Sequence, residues 1–505
     1  MVSTLSTALF SLYYNKSMTS TKTIPAESLF TEGSLLRGVR GRRDRRAQRT
    51  AARGRTPACL SARPHTRPPA RTEQALWEKS ALIRPHQARR LWLQARRNFG
   101  VLLALCVAAA VIGALLASFL YALDLVTKLR AQHLWLIALL PVVAVATTLV
   151  YQKFGAGAEH GNNMVIADIH DQATVPGRTV VLTYVFSLLT HLTGGSAGRE
   201  GAGVAIGASL FAKLARWLHF RSDDRRVLTM AGVAAGFSAI FGTPFSGAFF
   251  GLEMAFVGKV SYEALVPCFV ASYVANIVCR LLGIAYEKHA LQTPVVPGVK
   301  LVAVVLAAVV LFGVLARVFI VGVRHLKRGY GLLLRNPVLR SLVAGAVVAA
   351  LLLGLGLERY GGLSTWMIQA GFSGQTTFLD PLAKLALTML TLAVGLQGGE
   401  VTPLFCVGAS LGGALAVLTH TDVTLLAGLG MIAIFGAAAN APLTTIALGI
   451  ELFGVTGLPY YVAAALIGYF LVGSESLYPS QVIATAKSHG QRYRRSRSLS
   501  ELRRP

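Results

Sequence analysis

The stretch GGSAGREGAGVAIGASL, residues 194–210, decides how this chain is read. It follows an apolar segment at about 177–193 and opens another at about 200–217. Two glycines end the first helix, a glycine-rich turn follows, and a new helix is expected to begin at Glu200. Glycine lets the backbone turn its N–H groups towards a ligand, here at the positive end of the new helix. Such an end binds an anion without a fixed cation. A fixed Lys would hold the anion too tightly for turnover. Glu200 stands where the anion would sit, so its carboxylate is expected to occupy that site and to leave it when protonated. A carboxylate placed inside a membrane is rare and marks function. The competing reading is a Glu that only stabilises a helix N-terminus, with Arg199 as partner.

The rest of the chain places this turn in a bilayer. Of 505 residues 54% are hydrophobic and 14% charged, yet the formal net charge is +27. The charge is segregated. Residues 1–100 carry 20 Lys and Arg against 5 Asp and Glu, and residues 481–505 carry 7 against 1. The 380 residues between carry 22 against 16. A nucleic-acid-binding domain would carry its basic residues on a folded surface, so no nucleic-acid partner is expected. The mean hydropathy of +0.56 excludes an ordinary soluble enzyme. An all-α polytopic membrane protein in a lipid bilayer is the fold class this implies. The five cysteines include no CxxC pair and read as buried thiols, with no disulfide framework and no metal site.

Long apolar segments run at about 99–127, 133–152, 177–193, 225–241, 260–285, 298–324, 337–357, 381–396 and 423–439. Each is near the roughly 20 residues a span needs. Shorter Gly-rich pieces at 200–217, 244–256, 403–418, 442–454 and 459–473 read as broken half-helices of a transporter. The 50 glycines suit close helix packing. Residues 1–85 form a basic extension rich in Arg and Pro, without the apolar core of a signal peptide. It reads as a dispensable tail, a transit peptide, or a stretch upstream of the true start. Residues 488–505 form a basic C-terminal tail.

An internal repeat divides what remains. GVAAGFSAIFGTP at 232–244 resembles GMIAIFGAAANAP at 430–442, and each Pro is followed nine positions later by a Glu, Glu253 and Glu451. GASL at 207–210 returns at 408–411. Two transmembrane halves, 86–285 and 286–487, are expected. The repeat alone does not say whether they are parallel or inverted.

Three more pieces belong with Glu200. GGEVTPLFCVGASLG at 398–412 is the second copy of the turn; it offers a second buried carboxylate, Glu400, and the Thr402 hydroxyl, with Pro403 in the first turn of a helix. GNNMVI at 161–166 offers an amide donor on Asn162 or Asn163, against the common role of Asn in a turn or cap. Tyr478 in SESLYPS at 474–480 follows the last long helix, where an interfacial aromatic is the ordinary reading.

In order, GREG at 198–201, FGTPFSGAFFGLEM at 241–254, GGEVTP at 398–403, NAPL at 440–443 and Tyr478 resemble the ClC chloride channel and transporter superfamily over about residues 90–487. The resemblance implies a homodimer with one anion pathway per subunit and two inverted halves of broken and tilted helices. It makes Glu200 the gating glutamate and Tyr478 the central anion-coordinating tyrosine. Three departures matter. The usual GSGIP loop is GNNMV at 161–165, which puts Asn162 at the chloride-coordinating Ser, and the usual GGIFAP is GGEVTP. Met254 stands where chloride exchangers carry an internal proton-transfer Glu. These changes resemble the fluoride/proton antiporter branch, in which the residues matching Glu400 and Thr402 handle protons and fluoride. Fluoride is small and accepts hydrogen bonds strongly, which suits amide and hydroxyl donors. The expected function is fluoride export coupled to proton entry across a bacterial inner membrane. Glu200 and Glu400 would carry the proton. Asn162, Asn163, Thr402 and Tyr478, with the backbone at Gly201 and Val401, would coordinate the anion. A chloride/proton exchanger or chloride channel is the alternative. No cofactor and no catalytic activity are expected. A serine hydrolase built on Ser196 and His191 is a further reading, which leaves the repeat and Glu200 unexplained.

Overall fold

A computed structural model describes residues 85–487, apart from 156, 159–160 and 292–296, together with Ser498. Expectations about residues 1–84 and the rest of the C-terminal tail lie outside the described residues. The chain as far as Arg96 forms a unit of its own, of which the described part is helical from Pro85. The second unit begins at Arg97 and holds the membrane-length helices and the site.

The described residues form sixteen α-helices. In the first half these are α1 (Pro85–Gln132), α2 (Leu140–Val150), α3 (Asn162–Ile169), α4 (Thr179–Leu192), α5 (Glu200–Trp217), α6 (Ser222–Phe241), α7 (Pro244–Glu253) and α8 (Leu265–Leu281). The second half has α9 (Val299–Leu333), α10 (Pro337–Gly354), α11 (Trp366–Phe372), α12 (Leu379–Val394), α13 (Val401–Thr419), α14 (Val423–Ala439), α15 (Pro442–Phe453) and α16 (Leu458–Val472). Two short strands, β1 (Phe256–Val257) and β2 (Val482–Ile483), pair in parallel. Local chemistry sets many of the boundaries. Pro opens α7, α10 and α15, where a missing N–H is harmless. Asn336 and Asp422 cap α10 and α14 with their side chains. Gly242 ends α6 in the left-handed region at φ 73°.

Among the described residues, seven helical stretches have the length and apolarity to cross a membrane. Four segments read as spans from hydropathy are not among them: α4 has 14 residues, α12 has 16 and α14 has 17, and α6, with 20, opens on the charges Asp223, Asp224, Arg225 and Arg226. Conversely, Val401–Thr419 and Val455–Val472, read as broken pieces, reach 19 and 18 residues. For α13 and α14 the reason is burial. Helices α13 and α14 are apolar on every side because protein surrounds them, so hydropathy reports the neighbour and not the lipid. Lipid-facing helices differ: α1 exposes Leu103, Val107 and Val111, and α9 exposes Val310, Val314 and Val318.

The repeat is visible in the packing. Helices α5 and α6 touch at Gly207 and Gly232; α13 and α14 touch at their counterparts Gly408 and Gly430. At each of these glycines an added Cβ would meet backbone of the facing helix. The change Gly408→Ala is therefore expected to destabilise the protein by about 1–3 kcal/mol through overpacking. A thermal melt in detergent would read this, and an unchanged midpoint would contradict it.

The halves are inverted. The backbone N–H groups of Phe245 and Ser246, opening α7, donate to Glu451 near the end of α15 at 2.9 and 2.8 Å. Those of Leu443 and Thr444, opening α15, donate to Glu253 at the end of α7 at 3.0 and 2.8 Å. Equivalent helices thus lie antiparallel with reciprocal contacts, which is the geometry of a two-fold axis across the bundle.

Helix ends sort into two faces. Arg226 at the start of α6 pairs with Glu263 ahead of α8. Strand β1, also ahead of α8, pairs with β2 beyond α16, and Arg324 late in α9 pairs with Glu475 beyond α16. These ends share one face. Arg216 at the end of α5 donates to the Val175 carbonyl at 2.6 Å, which brings the loop leading into α4 to the same face. On the opposite face Tyr121 late in α1 donates to the Leu282 carbonyl at 2.7 Å.

Candidate anion and proton site

The turn that carries Glu200 is fixed from two sides. Thr388 and Thr391 lie on one face of α12; Thr391 accepts the Ser196 N–H at 3.1 Å, and the Ser196 and Thr388 hydroxyls lie 2.9 Å apart. Gly198 then forms an antiparallel bridge with Gly399 of the second copy, through two N–H···O bonds of 2.6 Å each. A Cβ at Gly198 would come within 2.8 Å of Pro403 Cδ, so glycine allows this approach. The two repeated turns thus meet back to back.

Glu200 opens α5 and is 1% exposed. Its carboxylate does not stay on its own helix. The Thr402 N–H donates to Oε2 at 3.0 Å and the Thr402 hydroxyl donates to Oε1. The Arg199 N–H adds a bond at 3.1 Å, and Arg199 Nε lies 3.8 Å away. The carboxylate therefore sits at the positive end of α13, where an anion would be favoured. The partner expected from the bland reading, Arg199, is present, but Thr402 contributes the two donors from across the repeat.

A cavity of about 310 Å³ lies beside this point. Of the residues expected to form the site it is lined by Asn162, Asn163, Gly201, Glu400 and Tyr478. Glu200, Val401 and Thr402 are not on its wall. Val401 packs in the apolar core, and the Thr402 donors are taken by Glu200. Asn162 is the first residue of α3, after Gly161 at φ 51°. It does not cap the helix, and its Oδ1 is buried with no partner among the described residues. Asn163, expected to bind the anion, accepts the Ser480 N–H at 3.2 Å and so ties α3 to the segment holding Tyr478. Tyr478 is not interfacial: it is 2% exposed and its ring lies 6.4 Å from that of Phe250.

Some contributors are not evident in the sequence. Gln481, fully buried, accepts from Ser476 at 2.6 Å and donates to the Met254 and Ala439 carbonyls at 2.9 and 3.0 Å. Ser476 in turn accepts the Tyr478 N–H at 3.0 Å, so Gln481 positions the tyrosine. A Gln three residues past Tyr478 in an apolar chain was the available signal. Thr388 and Thr391 had a signal too, two hydroxyls three apart on one helix face. Ser196 and His191 are not paired. The His191 ring nitrogens face the Ser187 and Ala197 carbonyls at 2.7 and 3.1 Å.

Two broken helices meeting around a buried carboxylate, in an inverted bundle of membrane-length helices, define a multi-pass membrane protein of the broken-helix transporter class. The chain belongs to the voltage-gated chloride channel family, whose model matches residues 142–473. It is 37% identical over 388 residues to a chloride/fluoride channel protein of Pseudomonas syringae pv. tomato, covering 75% of this chain and 86% of that protein. The crystal structure of a CLC-type fluoride/proton antiporter is similar with a TM-score of 0.73 and 34% identity, covering 76% of this chain and 98% of that one. A slow cyanobacterial Cl⁻/H⁺ antiporter shares the fold at a TM-score of 0.63 and 19% identity, covering 74% of this chain and 93% of that one.

Proposed function

We propose that this protein exports fluoride in exchange for protons across a bacterial inner membrane. The observation that carries the reading is the Glu200 carboxylate held on the Thr402 N–H and hydroxyl. A carboxylate there competes with an anion for the same donors. Protonation removes its charge and weakens that hold, so proton arrival and anion passage become alternatives at one place. Glu400, on the cavity, is the second proton carrier; Asn162 and Tyr478 are anion donors, with the Gly201 backbone beside them. The likeness to a relative named for chloride and fluoride and to a fluoride/proton antiporter supports fluoride as substrate.

Orientation follows from charge. The face that holds the α5–α6 turn and the end of α9 carries Arg216, Arg221, Arg225, Arg226, Arg324, Lys327 and Arg328. The positive-inside rule makes it cytoplasmic. The reading includes a homodimer, each subunit with its own pathway, and neither enzymatic activity nor a cofactor. The test is anion flux from liposomes. Fluoride is expected to leave at least about tenfold faster than chloride and to drive proton movement the other way, a discrimination of about 1.4 kcal/mol or more. Chloride moving as fast as fluoride would favour a chloride/proton exchanger or channel instead.

A further inference from the structure

Helix α4 carries three hydroxyls at i, i+4 and i+8: Thr179, Thr183 and Ser187. All three are buried, at 1%, 4% and 0% exposure, and none of the hydroxyl oxygens has a hydrogen-bond partner among the described residues. The usual refuge of a helical hydroxyl is the carbonyl four residues back. Thr190 and Thr193, next along the chain, take it at 2.9 Å each. The stripe does not. Three buried hydroxyls left without a protein partner are three places where an ordered water would find one.

The stripe has a direction. Thr179 is at the start of α4, on the face that bears Arg216. Thr183 lines the cavity shared by Glu400, Asn162 and Tyr478. Ser187 lies one turn further, and its carbonyl faces His191, whose other nitrogen faces Ala197 of the Glu200 turn. Positions four apart on a helix are separated by about 6 Å. One water making two hydrogen bonds of about 2.8 Å bridges that gap. Arg324 and Lys327 line the same cavity; Arg324 is paired with Glu475, and Lys327 attracts fluoride and disfavours a proton. Met254 leaves no carboxylate directly after Glu253 to take the proton there.

We propose that Thr183 and Thr179 line a hydrated proton branch that leaves the shared cavity at Thr183 and reaches the cytoplasm apart from the cation-lined part that fluoride uses. This rests on the fluoride/proton reading above. Protonated Glu400 gives its proton to a water bonded to Thr183. That water releases one of its protons to the next oxygen, and each relay oxygen takes one proton and gives one up. The hydroxyls end unchanged, and one proton reaches the cytoplasm for each carboxylic acid ionised.

The test uses the full chain in liposomes, with a fluoride electrode and a pH probe read together. Thr183→Val keeps the shape and removes the hydroxyl. A proton that cannot leave inwards returns outwards from Glu200, so fluoride continues to pass without net proton entry. The proton-to-fluoride ratio is expected to fall at least about tenfold, while Thr183→Ser keeps the wild-type ratio. Thr179→Val, one turn nearer the cytoplasm, is expected to show the same split and serves if the Thr183 variant does not fold. An unchanged ratio in Thr183→Val and Thr179→Val, or fluoride and proton fluxes falling in equal proportion, overturns the proposal. Wild-type protein that moves fluoride with no proton overturns the functional reading itself, and is seen before any variant is made.

Discussion

Glu200→Gln is expected to reduce fluoride-driven proton transport at least about a hundredfold, a loss of about 2.7 kcal/mol or more, while anion flux persists. The amide is nearly the same size as the carboxylic acid and fits the same space. Its oxygen can still accept from Thr402 or from the Arg199 N–H, as the carboxylate oxygens do at 3.0 and 3.1 Å. What it cannot do is gain and lose a proton. Without its charge it also competes weakly with an anion for those donors, since charge-assisted bonds are about twice as strong as neutral ones. The site then stays permanently in the state that protonation normally produces. The measurement is the proton signal during fluoride efflux from liposomes; coupling that survives the change would remove Glu200 from the proton route.

The second large effect concerns stability. Glu253→Ala is expected to destabilise the protein by about 3–5 kcal/mol, lowering the thermal midpoint by roughly 5–10 °C. Glu253 is 4% exposed and accepts three bonds, from Leu443 N, Thr444 N and the Thr444 hydroxyl at 3.0, 2.8 and 2.7 Å. Removing it leaves two backbone donors at the start of α15 with no acceptor, in a place water does not readily reach. Glu451 does the same for α7, through Phe245, Ser246 and the Ser246 hydroxyl. Its replacement by Ala is expected to have a similar effect. Thermal denaturation in detergent reads both, and a midpoint within about one degree of wild type would show that these caps contribute little.

Much of this was legible where the rules are local. The helix start at Glu200 follows from a glycine turn and an apolar run, and the openings of α7 and α15 follow from Pro244 and Pro442. The repeat was legible because the same packing demands glycine at Gly207 and Gly408. Long-range partners were not. The sequence places Glu200 at the end of its own helix, and nothing local says that its carboxylate crosses to Thr402, 202 positions away. Glu253 and Glu451 stood out as charges in apolar sequence, but their exchange of caps needs the two-fold arrangement to be visible. Asn163 looked equivalent to Asn162 until the chain brought Ser480 to it. Hydropathy misjudged α14 because it cannot separate a helix wrapped by protein from one wrapped by lipid, and it misjudged α4 and α12 because it does not see the glycine turns at Gly194 and Gly395 that stop them at 14 and 16 residues.

The pairing of Gly198 with Gly399 has a mechanical meaning. Glu200 is two residues past one member of the bridge and Glu400 is one residue past the other. Both acidic side chains are thus mounted on a single plate, closed by two hydrogen bonds and backed by the α12 hydroxyls. The plate cannot tilt one of them without carrying the other. The moving parts are then the side chains themselves, turning about their own χ angles against a stationary backbone. Such turns do not wait on the collective domain motions that take microseconds to milliseconds. A protein built this way can alternate between its two occupants without rocking one half against the other.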